Sequence, residues 1–380
     1  MNLAYITSFK SSDIHAWSGS IYHIHQALQH SNFRTECIDN LKSRGELSLK
    51  IKKALYAKIA GKTYLRDRGQ ALLMQYAVEI EKALNQIDHD IIFSPSTLPI
   101  AYIKTDKPIV FWADATFSGM MDFYPEYSNL CSESIRDAYD ADQLSLSKCS
   151  LALYASEWAA STAISNYDVD PRKVKVVPFG ANIICDRTIR DVESILDKKK
   201  YNVCKLLFMG VSWSRKGGDV ALMVANLLNQ QGIQTELHVV GCQPPIDDIP
   251  NFVKLYGFIS KNLDTGREYL DKLMAESHFL ILPSKAECYG VVFAEASSFG
   301  LPSLATDVGG ISTAIHNGKN GQTFQINDSP QKYCDYIARL MSDVHQYREL
   351  SLSSFAEYSD RLNWTSSGNK VKDLIMTFCN

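Results

Sequence analysis

Residues Phe279–Gly310 read FLILPSKAECYGVVFAEASSFGLPSLATDVGG, and the reading of this stretch decides the fold. The apolar run Phe279 to Leu282 is stopped by Pro283 and Ser284, the pattern of a buried parallel strand that ends in a loop. Good helix formers from Val291 to Phe299 follow, Gly300 stands at the C-terminal cap position, and Pro302 bars continuation. A second strand, about Ser303 to Thr306, runs into Gly309-Gly310. The unit is strand, loop, helix, strand. Ligands of open parallel sheets bind beyond the carboxyl ends of the strands, so Ser284 to Gly290 is the expected site.

Glu287 lies in that loop and Glu295 eight residues later on the helix, a little over two turns, so both carboxylates can face one crevice at different depths. A carboxylate accepts two charge-assisted bonds and suits a pair of sugar hydroxyls. Gly290 and its neighbours Cys288 and Tyr289 add backbone N–H donors at a helix N-terminus, where an anion is favoured. Taken alone, the pair fits equally a loop residue that caps the helix and a solvated surface glutamate.

The string PSKAECYGVVFAEASSFGLPSLATDVGG resembles the donor-site signature of retaining glycosyltransferases with two Rossmann-like halves, the GT-B architecture, and most of all glycosyltransferase family four, among the glycosyl transferases of group 1. The resemblance implies an α/β fold of two doubly wound domains facing across a cleft. It implies that Glu287 contacts the transferred sugar and that Glu295 holds the ribose of the nucleotide.

The 380 residues suit two domains, and 46% apolar with 21% charged residues is ordinary for a globular protein. A net charge of −3 gives no support to general nucleic-acid binding. Nine scattered cysteines without a C-x-x-C pair read as free thiols in a reducing compartment, and no metal site is expected. The start MNLAYITSFKSSD has neither a basic leader nor a long apolar core, and no run reaches the roughly 20 residues that cross a bilayer. The expected location is cytoplasmic, at most at the inner face of the membrane.

In chain order, Leu3 to Ser8 reads as a strand and Ile21 to Leu28 as a helix, with Gly19 and Ser20 in the loop where such a unit places phosphate. By pattern alone, without G-x-G-x-x-G, an ordinary turn fits as well. From Lys42 to Arg68 nine basic residues, Lys42, Arg44, Lys50, Lys52, Lys53, Lys58, Lys62, Arg66 and Arg68, stand against Glu46 and Asp67. Ile51, Leu55 and Ile59 recur every fourth residue, so the segment is either an amphipathic helix for anionic lipid or a solvated helix packed on its own domain. Asp114 follows the strand Pro108 to Trp112, near the crevice, as a sugar or acceptor ligand or as the N-cap of a short helix. Ser156 is read as the cap of another helix.

The first domain is expected over residues 1–182 and completed by a helix over about 363–380, with 183–200 as linker and 201–362 as the donor-binding domain. The second domain restarts with KLLFMGVSWSRKGGDVALMV, in which Arg215 and Lys216 open a helix they oppose by charge, an arrangement that makes sense with an anion present. The resemblance assigns Lys216 to the donor diphosphate; where the family usually has arginine this chain has Val211, and Arg215 is its substitute. Tyr256 to Phe258 either flank the nucleobase or belong to the core.

The resemblance implies transfer of a hexose-type sugar with retention from a UDP- or GDP-linked nucleotide sugar to an acceptor saccharide or lipid-linked saccharide. It implies no metal; the overall charge gives no nucleic-acid partner, and peripheral membrane contact is expected through Lys42–Arg68. A nucleotide-sugar epimerase of the same architecture, a non-catalytic sugar-nucleotide-binding protein, and a transferase acting on DNA bases, for which Lys42–Arg68 is the candidate basic face, are the alternatives.

Overall fold

The structure, a computed structural model, describes residues 1–42, 46–261 and 263–379, and of 46–48 the backbone alone. Arg44 and Asn380, which the sequence places in the basic run and in the last helix, lie outside the described residues. The chain forms two units, Met1–Pro178 with the segment from Trp364, and Phe179–Asn363.

Short apolar runs build the sheet of each unit. In the first, strands β1 (Asn2–Ile6), β2 (Arg34–Ile38), β3 (Ile91–Ser94), β4 (Ile109–Ala113), β5 (Leu151–Tyr154) and β6 (Val174–Val176) lie in the order β2-β1-β3-β4-β5-β6, all parallel. Every residue of β3, β4 and β5 is buried, as expected of strands covered on both faces by helices. In the second unit β7 (Cys204–Met209), β8 (Thr235–Val240), β9 (Val253–Leu255), β10 (Phe279–Leu282), β11 (Ser303–Thr306) and β12 (Gly321–Phe324) take the order β12-β11-β10-β7-β8-β9, again all parallel. Strand order reverses between β7 and β10, and a doubly wound sheet opens its ligand crevice at such a reversal.

The charged run 183–200, expected to be a linker, instead contains a helix of the second unit, Ile189–Lys198, with Val192 and Leu196 buried. Ile189, Val192, Ile195 and Leu196 stand at helical spacing in this charged segment, and the change of unit falls earlier, after Pro178. The helix Trp364–Phe378 packs in the first unit against Ser20–His30. Gly368 permits this contact, since a Cβ there would stand 2.8 Å from the Ala27 carbonyl oxygen. Ser367 Oγ donates to the Pro178 carbonyl at 2.7 Å.

In the basic segment, Glu46–Leu55 and Tyr56–Ala60 are helical, and Ile51, Leu55 and Ile59 are 52%, 51% and 81% exposed. The alternative in which this apolar row packs on its own domain is therefore excluded. The basic charges are not one surface, however. Lys52 pairs with Glu133, Lys62 donates to Asn129 at 2.8 Å, and Arg68 is buried with its guanidinium 5.4 Å from the Tyr127 ring. Lys53 and Lys58 are exposed beside the apolar row. Among the described residues no helix is long and apolar enough to cross a membrane.

Candidate functional site

The site of the second unit is built from the loops that leave β7 and β10, the two strands at the reversal. After β7 the chain must carry a lysine across its own backbone, and glycines make the room. A Cβ on Gly210 would stand 2.9 Å from Cγ of Lys216, and one on Gly217, at φ +75°, would stand 1.9 Å from the Pro283 carbonyl oxygen. Gly217 is the N-cap of the helix Gly218–Gln230, and Asp219 in its first turn accepts from Trp213 Nε1 at 2.6 Å. A backbone bond from Lys285 N to the Arg215 carbonyl, 2.8 Å, ties the β7 loop to the β10 loop.

These loops bring Arg215, Lys216 and Glu287 together. Lys216 Nζ pairs with Glu287 Oε2, and Arg215 Nη1 lies 3.6 Å from the same oxygen while donating to the Ala286 carbonyl at 2.9 Å. Lys216 and Glu287 keep only 11% and 12% of their side-chain surface, so this is a half-enclosed charge cluster of net +1 rather than a solvated basic turn. Arg215 reaches the cluster that Val211, 71% exposed, cannot serve. The Glu287 carbonyl accepts from Gly310 N at 3.1 Å, which closes the glycine pair onto the same loop.

Glu295 is 1% exposed, which removes the reading of a solvated surface residue. A carboxylate buried this deeply requires a partner, and Lys261 Nζ lies 2.5 Å from its Oε1. Lys261 is the residue the sequence did not reveal, because nothing in YGFISKNL marks one lysine as the counter-ion of a glutamate 34 positions on.

Gly290, φ +85°, precedes the helix Val291–Ser297, and a Cβ there would meet the Phe293 ring at 2.6 Å and Cγ of Glu287 at 3.2 Å. Cys288 and Tyr289 are buried. The Tyr289 hydroxyl donates to the Phe179 carbonyl at 2.8 Å and burial pushes its pKa up, so this ring anchors the loop and a ligand would meet backbone here. Ser284, two residues beyond β10, is wholly buried, and among the described residues its hydroxyl has no hydrogen-bond partner.

Gly19, Ser20 and Asp114 belong to the first unit. Gly19, φ +95°, is the N-cap of Ser20–His30, and Trp17 and Ser18 before it also have positive φ, 51° and 55°. Three such residues in succession form a strained turn at the end of the first βα loop. Asp114 directly follows β4. The N-cap of the short helix Phe117–Met120 is Thr116, whose hydroxyl accepts from Gly119 N at 3.0 Å, so Asp114 is not that cap. Ser156 caps Glu157–Asn166, accepting from Ala159 N at 3.2 Å. Of the aromatic pair, Tyr256 is engaged with His238, hydroxyl to Nδ1 at 2.7 Å and rings stacked at 5.7 Å, whereas Phe258 is 71% exposed.

Residues 204–343 match the family model of glycosyl transferases group 1, so the second unit carries a domain of that type. A D-inositol 3-phosphate glycosyltransferase of Corynebacterium urealyticum is 24% identical over 267 residues, covering 66% of this chain and 59% of that protein. That of Paenarthrobacter aurescens is 25% identical over 213 residues, covering 54% and 52%. The chain thus spans about half to three-fifths of these curated relatives. Among solved structures, sucrose-phosphate synthase from Thermosynechococcus elongatus superposes with a TM-score of 0.70 at 14% identity, over 99% of this chain and 98% of that one. Anabaena HepE, solved with UDP and glucose, gives 0.63 at 14% over 99% and 100%. The lipopolysaccharide outer core galactosyltransferase WaaB gives 0.66 at 14% over 99% of both chains. At such identities the likeness establishes the fold: two parallel-sheet α/β domains of six strands each, as in GT-B glycosyltransferases.

Proposed function

We propose that the protein is a retaining glycosyltransferase that moves a hexose-type sugar from a UDP- or GDP-linked sugar to a hydroxyl of a saccharide or lipid-linked saccharide, in assembly of a bacterial surface polysaccharide or glycolipid. One observation carries the reading: two cations and a carboxylate converge where the second sheet reverses, inside a group 1 domain. HepE, a fold neighbour, was solved with UDP-glucose, which makes uridine donors the first to try.

In this reading Arg215 and Lys216 bind the diphosphate and stabilise the charge that grows on it as the sugar departs. Glu287 binds sugar hydroxyls, Glu295 the ribose, and the backbone of Cys288 to Gly290 the donor. Gly19, Ser20 and Asp114 serve the first unit's side of the reaction. The acceptor oxygen bonds to the anomeric carbon as the bond from that carbon to the phosphate oxygen breaks. Attack comes from the face the nucleotide leaves, so configuration is retained, and the hydroxyl proton passes to the leaving diphosphate. Protein cations do the work of a metal, and none is required.

The test is thermal stabilisation by UDP, GDP, ADP and their sugar conjugates. A ligand at a hundred times its dissociation constant adds about 2.7 kcal/mol, so one nucleotide should raise Tm by several degrees, and Glu295→Ala should abolish the shift. No shift with any of them sinks the reading. A shift with no turnover on any acceptor would favour the non-catalytic binder, and conversion of the free nucleotide sugar would favour the epimerase.

The exposed row Ile51, Leu55 and Ile59, with Lys53 and Lys58 beside it, supports peripheral contact with anionic lipid. The protein should co-sediment with vesicles containing phosphatidylglycerol and not with neutral ones, and the triple change to serine should release it. Equal recovery with both vesicle types would refute this contact.

A further inference from the structure

We propose that Lys261 is the positioning residue for the nucleoside half of the donor, holding the Glu295 side chain oriented for the ribose while it fixes a loop that presents Phe258 to the base. The inference deepens the transferase reading and rests on it.

Among the described residues of the loop between β9 and the helix Asp264–Glu276, Gly257 and Lys261 are held by hydrogen bonds and the Phe258 ring stands outside. At its start the Gly257 carbonyl accepts from Gly241 N at 2.7 Å, and Gly241 itself lies so close to the end of β7 that a Cβ would stand 2.8 Å from the Gly210 carbonyl oxygen. The loop therefore begins beside the strand end from which the Lys216 loop departs. At its far end the Lys261 carbonyl accepts from Arg267 Nη1 at 2.8 Å, and Arg267 pairs with Asp264. Between these anchors Phe258 is 71% exposed, a large ring with no role in the core.

The Lys261 side chain runs the other way. Its ammonium, with 35% of the side chain exposed, meets Glu295, with 1%. A side chain so buried is held in one orientation by the partner it meets there. Lys261 engages Oε1, and in this proposal the other carboxylate oxygen accepts from a ribose hydroxyl. One residue thus couples the ribose contact to the placement of a flat apolar surface, on which a base of any sequence class can stack. The diphosphate half of the site, Arg215 and Lys216, does not depend on it.

Isothermal titration of the full chain with UDP, GDP, ADP and inorganic diphosphate tests this. For the nucleotide that binds best, Lys261→Met should weaken binding tenfold or more and Lys261→Arg should stay within threefold of the natural protein. Phe258→Ala, a change on an exposed ring that carries no fold, should weaken the same nucleotide fivefold or more. Inorganic diphosphate should bind all four proteins within twofold. Unchanged nucleotide affinity in Lys261→Met overturns the inference, and so does an equal loss for inorganic diphosphate, which would mark Lys261 as structural only. If the natural protein binds inorganic diphosphate but no nucleotide, the transferase reading itself fails, which is a different result.

Discussion

Glu287→Ala is expected to stop transfer while nucleoside diphosphate binds as before or more tightly. The reason lies in the charge cluster, where Lys216 and Arg215 both lean on Glu287 Oε2. A diphosphate must compete with that carboxylate for the two cations, and removing it leaves them to the ligand. In the proposed role as sugar ligand, by contrast, Glu287 makes the contact itself. Loss of one preorganised partner of a reacting group costs about 2.7–4 kcal/mol, so kcat should fall about 10²–10³-fold. A kcat within threefold of the natural value would exclude Glu287 from the sugar site. A tenfold loss of nucleotide affinity would make it part of the diphosphate cradle instead.

The second large effect concerns backbone. Gly217→Val meets two obstacles at once, a φ of +75° that β-branched residues avoid and a Cβ position 1.9 Å from the Pro283 carbonyl oxygen. Neither obstacle can be relieved by a rotamer change. The loops after β7 and β10 must separate, and we expect a loss of at least about 3 kcal/mol in urea unfolding together with loss of nucleotide binding. Gly232→Ala is the control, because its φ is +84° while nothing lies within 4 Å of its Cβ position. It should cost about 1 kcal/mol, the expense of the left-handed conformation alone. Equal effects at the two sites would mean that the contact between the loops is not tight.

How much of this was legible in the sequence depended on whether the signal was local. The strand Phe279–Leu282, the helix start after Gly290 and the strand Ser303–Thr306 each follow from a run, a glycine or a proline within a few residues. The sequence reads Arg215 with Lys216 and Glu287 as separate candidates; their meeting in one ion-paired cluster is not legible there, since contact between positions 71 apart is a product of tertiary structure. Lys261 was illegible for the same reason. The helix inside 183–200 is legible from Ile189, Val192, Ile195 and Leu196 at helical spacing and from the Thr188–Asp191 capping box, but the charge of the run points a reading by composition to a linker instead. Thr116 took the capping role offered to Asp114 because the helix begins two residues later than the end of the strand suggests.

The connectivity of the two units has a consequence for how the chain is made. The second unit is enclosed within the sequence of the first, which ends its opening run at Pro178 and resumes at Trp364. Trp364 stacks on His23 with ring centroids 6.0 Å apart and meets Trp112 edge-on at 5.6 Å, so the surface it covers is laid down early and waits for it. During synthesis from the N-terminus, all the residues of the second unit leave the ribosome before the last helix of the first. The inserted unit can complete its sheet in that interval, while its host holds an uncovered patch around Ser20–His30. The order of completion is then the reverse of the order of initiation: the unit begun first is finished last.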